Sequence, residues 1–230
     1  MSSFVLKIIA CITMFCDHFG NYYFKSTTVL NYIGRFAFTI FAFQIVQGYI
    51  HTKDIKKYIK RLFIFAIVSQ GPFMLFSYYI SNNLFAINVV WTLLFGLLTV
   101  LIYDKYNRFT GISCCFSLGL IAEVLKFDYG FYGVFIVFMF YLLRDNKLSM
   151  SIVFILSVIL KFYYSTIKYS LPISYIFCGN KYSVLMYSTC LSIIPILFFN
   201  GKKGKDAKYL FYIFYPLHLS ILTILCYLTY

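Results

Sequence analysis

The sequence predicts an all-α fold: a polytopic membrane bundle of about nine transmembrane helices, eight to ten, with a cytoplasmic N-terminus and one domain covering 1–230. Three observations predict it. Hydrophobic residues make up 62% of the chain and charged residues 12%, whereas a soluble domain is roughly 45–50% apolar and about 25% charged. Apolar runs follow one another nearly end to end, which leaves no stretch for a separate soluble domain. The basic residues fall mainly in short loops between those runs.

Taken in order, the first run covers 4–24. No small-residue cleavage site follows it, so it reads as a retained span rather than a signal peptide. The next eight runs are 28–50, 61–80, 84–103, 109–126, 129–143, 149–165, 182–199 and 209–229, each bounded by charges or turn residues. A spanning helix needs about 20 apolar residues, with a range of about 17–25, and the sixth run is short by that measure. The stretch 169–180 is apolar but too short to cross, and Pro172 interrupts it; it reads as re-entrant or interfacial.

Orientation follows from the loops. Those after runs two, four, six and eight contain HTKDIKKYIKR, DKYNR, RDNK and GKKGKDAK, with 13 Lys and Arg in all. The opposite loops contain 5: Lys25, Lys126, Lys161, Lys168 and Lys181. The richer side is cytoplasmic. The same argument accounts for the net charge of +13 without a nucleic-acid partner. Tyr22, Tyr23, Tyr227 and Tyr230 lie at run ends, where ring-and-hydroxyl side chains settle at the headgroups. Wealth in Lys, Asn, Ile, Tyr and Phe with little Ala or Pro suits an AT-rich bacterial genome, hence a bacterial cytoplasmic membrane. The seven cysteines, Cys178 among them, show no paired metal-ligand spacing and lie mostly in apolar runs, as small hydrophobes do. No metal site is expected.

Ionisable groups inside a bilayer cost about 2.5–3.5 kcal/mol each at a helix centre and tend to mark pathways or chemistry. The inventory is therefore short and informative: Lys7, Asp17, His18, Arg35, Gln44, Gln47, Gln70, Asn88, Glu123, Asp128 and His218. Under the predicted topology Asp17, His18, Arg35, Asn88, Glu123 and Asp128 share the outer level. Asp17 and Arg35 neutralise each other across the first hairpin, either as a purely structural pair or as part of a site. His18 is then either a satisfied core histidine or a neutral imidazole able to take a proton, with Asp17 orienting it. Lys7 precedes His18 by eleven residues; eleven steps of 100° return to within about 20° of the same face, about 16 Å along the axis. Alone, Lys7 reads as a side chain snorkelling to the cytoplasmic surface. His51 opens a basic loop and reads as solvated. His218 sits beside Pro216, a combination that leans toward function in a membrane. The basic run with Lys53, Lys56, Lys57 and Arg61 is either a cytoplasmic face or a site for an anionic cofactor.

The sequence contains no GxSxG, Walker loop, dinucleotide fingerprint or HExxH. Six blocks in order, LKIIACITMFCDHFG, IGRFAFTIFAFQIVQGYIHT, KKYIKRLFIFAIVSQGPF, NVVWTLLFGLL, FDYGFYGVFIVFMFYLLR and KYLFYIFYPLHLSIL, resemble the TraX family, named for the acetylase of conjugative pilin. Where such proteins often carry an acid in SxxPF, this chain has Gln70, which accepts a hydrogen bond but cannot act as a base. Lys7 and His18 also match a wider pattern, the basic residue, ten residues and histidine in the first span of the acyltransferase-three membrane enzymes. That resemblance implies an O- or N-acyltransferase, with acetyl-CoA or another acyl-CoA as donor and a hydroxyl or amine on a pilin-like peptide, glycan or surface polymer as acceptor. It implies His18 as base, Lys7 with Lys53, Lys57 and Arg61 on the donor's phosphates, and Arg35 or Asn88 on the oxyanion. Asp128, Tyr129 and His218 would line the acceptor side. Two rival readings are a transporter or flippase with an Asp17, Arg35 and Glu123 path, and a non-catalytic assembly factor for a surface appendage or polymer. The sequence does not specify the oligomeric state.

Overall fold

A computed structural model describes residues 1–24, 27–177, 179–206 and 208–229; Lys25, Cys178 and Tyr230, used above, lie outside them. Among the described residues the chain is helical, without a β-strand and with one isolated parallel bridge between Ile87 and Phe127. The helices are α1 (Ser3–Phe24), α2 (Val29–His51), α3 (Ile55–Ser81), α4 (Val89–Lys105), α5 (Arg108–Val124), α6 (Gly130–Leu142), α7 (Lys147–Lys168), α8 (Lys181–Leu191), α9 (Ile194–Leu197) and α10 (Lys208–Thr229), with a 3₁₀ turn at Ile173–Ile176.

Each of the nine apolar runs becomes a helix, and the boundaries move for local reasons. Asp54, Asn88, Asn107, Asn146 and Asn180 each accept a backbone N–H from the first turn of the following helix, so these side chains set the starts of α3, α4, α5, α7 and α8. Asp54 thereby draws the basic run into α3, ahead of the expected start at 61. The eighth run breaks into α8 and α9 ahead of Pro195. Among the described residues, five helices are long and apolar enough to cross a membrane: α1, α2, α3, α7 and the 211–229 portion of α10. The others are shorter: α4 and α5 have 17 residues each, and α6 has 13. Among the described residues of 169–180 there is a turn followed by the 3₁₀ segment.

The chain divides into two compact units. One comprises 1–41 and 143–206, the other 42–142 and 208–229. In the first, α1 starts against the segment before α10. The Met1 amine donates to Phe198 O, Ser3 N to Lys202 O at 2.8 Å and Phe4 N to Lys203 O at 3.0 Å. Those carbonyls cap first-turn donors that a helix start leaves open. Lys147 Nζ, at 2.9 Å from both Leu197 O and Phe199 O, closes the end of α9 in the same manner.

The second unit is packed through small residues. On α5 the buried face is Gly111, Cys115, Gly119 and Ala122, while Phe109, Ile112, Phe116, Leu120 and Val124 point outward. A Cβ on Gly111 would come within 2.5 Å of Tyr103 Cβ, and one on Gly119 within 2.6 Å of the Phe131 ring. Gly96 of α4 lies similarly under Val137 of α6. Small residues inside and large apolar ones outside invert the soluble pattern; helices pack this way when lipid covers their outer faces. α6, buried along most of its length, is enclosed by α4 and α5.

Gly119→Leu is expected to lower stability by about 1–3 kcal/mol through overpacking, and the lipid-facing Ile112→Leu to change it by less than about 0.5 kcal/mol. Thermal unfolding in detergent checks both.

Candidate functional site

In the first unit α1 and α2 meet at two glycines. A Cβ on Gly20 would lie 3.0 Å from Leu30 Cβ, and one on Gly34 would lie 2.6 Å from Asp17 Oδ1. This close approach lets the Asp17 carboxylate rest against the α2 backbone. Asp17 Oδ1 accepts from Arg35 Nη2 at 2.8 Å and from Asn31 Nδ2 at 3.1 Å. Arg35 Nε donates back to Asn31 O at 3.2 Å, one turn earlier. Asn31 also reaches Asn21 Oδ1 at 2.8 Å, and its own Oδ1 accepts from Thr28 N at 2.9 Å. That last bond is the reciprocal half of a capping box, with Asn31 in the place usually held by Glu or Gln. A charge pair, a helix start and a hairpin thus share four side chains. His18, half-buried, follows Asp17 directly on α1. Lys7 stands on the same helix, where the fields of Asp206 and Lys203 reach its ammonium.

In the second unit Asn88 is fully buried and saturated. Its Oδ1 accepts from Val90 N at 2.9 Å; its Nδ2 donates to Ala66 O at 2.9 Å and to Gln70 Oε1 at 2.8 Å. Gln70 completes the clasp by accepting from Asn88 N at 3.2 Å and donating to Ala86 O at 2.7 Å. Both amide protons of Asn88 are engaged, so the oxyanion contact expected of it requires one of these bonds to break.

Between α5 and α6, Lys126, Tyr129 and Gly130 all have positive φ (56°, 66° and 45°). Two of these are non-glycine residues in the left-handed region, held there by their surroundings. Asp128 N donates to Ile87 O at 3.0 Å, and Asp128 O accepts from Thr92 Oγ1 at 2.5 Å. Glu123 Oε2 accepts from Phe131 N at 3.0 Å, which makes it a brace at the start of α6. On α10, His218 is 4% exposed and donates from Nδ1 to Phe214 O at 2.8 Å. A carbonyl partner requires the proton on Nδ1, so Nε2 is the proton-accepting nitrogen of the neutral ring. Its ring stacks on Phe214 and tilts against Tyr215, whose hydroxyl lies within the field of Asp128.

The sequence pattern described as "TraX protein" matches residues 2–226. The chain belongs to the TraX family. It is also 30% identical over 148 residues to a protein of Dichelobacter nodosus named "Probable fimbrial assembly protein FimC, serogroup H1". That match covers 58% of this chain and 59% of the relative, so it spans less than two thirds of either. No solved structure matches the chain.

The structure places this TraX chain's candidate residues in two sets. Lys7, Asp17, His18 and Arg35 lie in the first unit; Asn88, Asp128, Tyr129, His218, Lys53, Lys57 and Arg61 lie in the second. In the first set Asp17 and Arg35 form the contact expected of them. Lys53 and Lys57 are exposed, and Lys57 pairs with Asp54 at 3.2 Å. Arg61 instead turns its Nε inward, and its guanidinium lies beside Tyr212. Sequence reasoning missed Asn31 and Gly34. The available signals were a T-x-x-N start to the second run and an Asn four residues before Arg35. Among the described residues no three His, Cys, Asp or Glu side chains gather to hold a metal.

Arg35→Gln or Asp17→Asn alone is expected to destabilise the protein by about 1.5–3 kcal/mol, the worth of a hydrogen bond to a charged group. The double substitution is expected to cost less than the sum of the two, which a double-mutant cycle by thermal unfolding reads directly.

Proposed function

We propose that the protein is a membrane-embedded acyltransferase that moves an acyl group, acetyl in the first instance, from cytosolic acyl-CoA to a hydroxyl or amine at the membrane or its outer side. The observation that carries the reading is the Asp17–Arg35–Asn31 network, which fixes the α1–α2 hairpin beside His18. Membership of a family named for a pilin acetylase supports it, as does the Lys7-to-His18 spacing. In this reading the chain sits in a bacterial cytoplasmic membrane with its N-terminus inside. Nine segments cross, the shorter helices included, following the excess of 13 Lys and Arg over 5 in the loops.

His18 takes the proton of the acceptor nucleophile as its lone pair attacks the thioester carbonyl. Arg35, already positive and fixed by Asp17, is the group that answers the negative charge growing on the carbonyl oxygen. The C–S bond then breaks, and the imidazolium returns its proton to the departing thiolate, so the base is reset within one turnover. Lys7, on the same helix as His18, serves the donor side. A pilin-like subunit is the acceptor best supported, because the D. nodosus relative is named for fimbrial assembly.

That same name favours a second reading, a non-catalytic assembly factor. Purified protein incubated with labelled acetyl-CoA and a pilin-like peptide separates the two. Transfer by the wild type is expected to fall by about 10²–10⁴-fold in His18→Ala, the usual contribution of a general base. Full transfer by that variant removes His18 from the chemistry. A wild type that transfers nothing, while its deletion stops appendage assembly, establishes the second reading.

A further inference from the structure

Nine Ser and Thr hydroxyls are buried among the described residues, and seven of them have a hydrogen-bond partner. The two without one are Ser69, 0% exposed, on α3 and Thr223, 8% exposed, on α10. A helical Ser or Thr ordinarily returns its proton to the carbonyl three or four residues back, as Thr99 does to Phe95 O at 3.1 Å. A buried hydroxyl without a partner is destabilising, because it has given up its water and gained nothing in return. Two on a pair of packed helices, in a chain so poor in polar groups, call for a ligand.

The helices run in parallel register. Arg61 of α3 lies beside Tyr212 of α10, and one turn on, Phe65 of α3 packs on Tyr212 and Tyr215 at 5.0 and 5.9 Å. A further turn brings Ser69 to the level of His218 and Leu219, and Thr223 lies one turn beyond. Arg61, at the basic end of the seam, has a buried Nε that is also without a partner. Between the polar points the lining is apolar: Phe65, Leu219 and Leu222. Each helix also contains a proline, Pro72 and Pro216, that deletes one of its own backbone bonds and so eases bending.

We propose, building on the acyl-transfer reading, that the α3–α10 seam takes up the pantetheine arm of the acyl-CoA donor. The arm is a narrow chain of methylenes and methyls punctuated by a hydroxyl and two secondary amides. Each amide offers a donor and an acceptor to Ser69 and Thr223, and Arg61 meets the phosphate end. The arm then runs from the basic mouth of the seam past the level of His218 to Thr223.

The test uses the full chain purified in detergent, with labelled acetyl-CoA binding measured by equilibrium dialysis. Ser69→Ala and Thr223→Val remove orphaned hydroxyls, so their melting temperatures are expected to stay level or rise. Acetyl-CoA affinity is expected to fall about tenfold in each, as for the loss of one buried hydrogen bond. Thr99→Val, whose hydroxyl is bonded within its own helix, should bind as the wild type does, and D-pantethine should compete with acetyl-CoA for the wild type. Wild-type binding that both seam variants keep within twofold overturns the seam alone. A wild type without affinity for acetyl-CoA overturns the seam and the acyl-transfer reading together.

Discussion

In hydrocarbon a polar group finds partners only within the protein, and that constraint governs the fold. Its sharpest expression is the contact of Asp17 with Arg35 and Asn31. A carboxylate in a first helix of low polarity is tolerated because a guanidinium from the next helix meets it at 2.8 Å, and two glycines bring the helices close enough. The Asn88–Gln70 clasp obeys the same constraint in the other unit. There a helix start, a side-chain amide and two backbone carbonyls satisfy one another away from solvent.

Packing follows from the same absence of water. Lipid chains are as apolar as leucine, so burying a large hydrophobe between helices gains little over leaving it outside. Close contact gains more, and small residues provide it: Gly111 under Tyr103, Gly119 under Phe131, Gly96 under Val137 and Gly34 under Asp17. The large residues left on the outer faces of α5 are what a bilayer solvates.

The helical fold was legible because apolar runs and their bounding charges are long-wavelength signals. Span number was not, because α4, α5 and α6 lie at or below the length where composition separates a crossing helix from a buried one. The Asp17–Arg35 pair was legible for a different reason: few charges lie inside the apolar runs, and the first hairpin brings two opposite ones face to face. Asn31 and Gly34 were not, since an amide and a glycine in an apolar run acquire meaning only from what faces them. The inward turn of Arg61 was equally hidden, because Lys53, Lys57 and Arg61 look alike in a basic run, while only Arg61 lies on the α3 face that meets Tyr212. His51 and His218 show the same limit. Both donate Nδ1 to the carbonyl four residues back, yet one is exposed and the other buried beside Tyr215.

Asn31 joins two tasks that most hairpins keep apart. It closes the start of α2 through Thr28, and it holds the Asp17 carboxylate that Arg35 neutralises. Inserted by itself, α1 would take Lys7, Asp17 and His18 into the bilayer with no counter-charge from its own sequence beyond the first turns. At about 2.5–3.5 kcal/mol for a charge at a helix centre, that is a poor substrate for entry one helix at a time. Once α2 has formed its first two turns, Asn31 and Arg35 stand ready together. The hairpin, rather than either helix, is therefore the smallest piece of the chain in which the Asp17 charge is neutralised, and a single asparagine ties that neutralisation to the start of a helix.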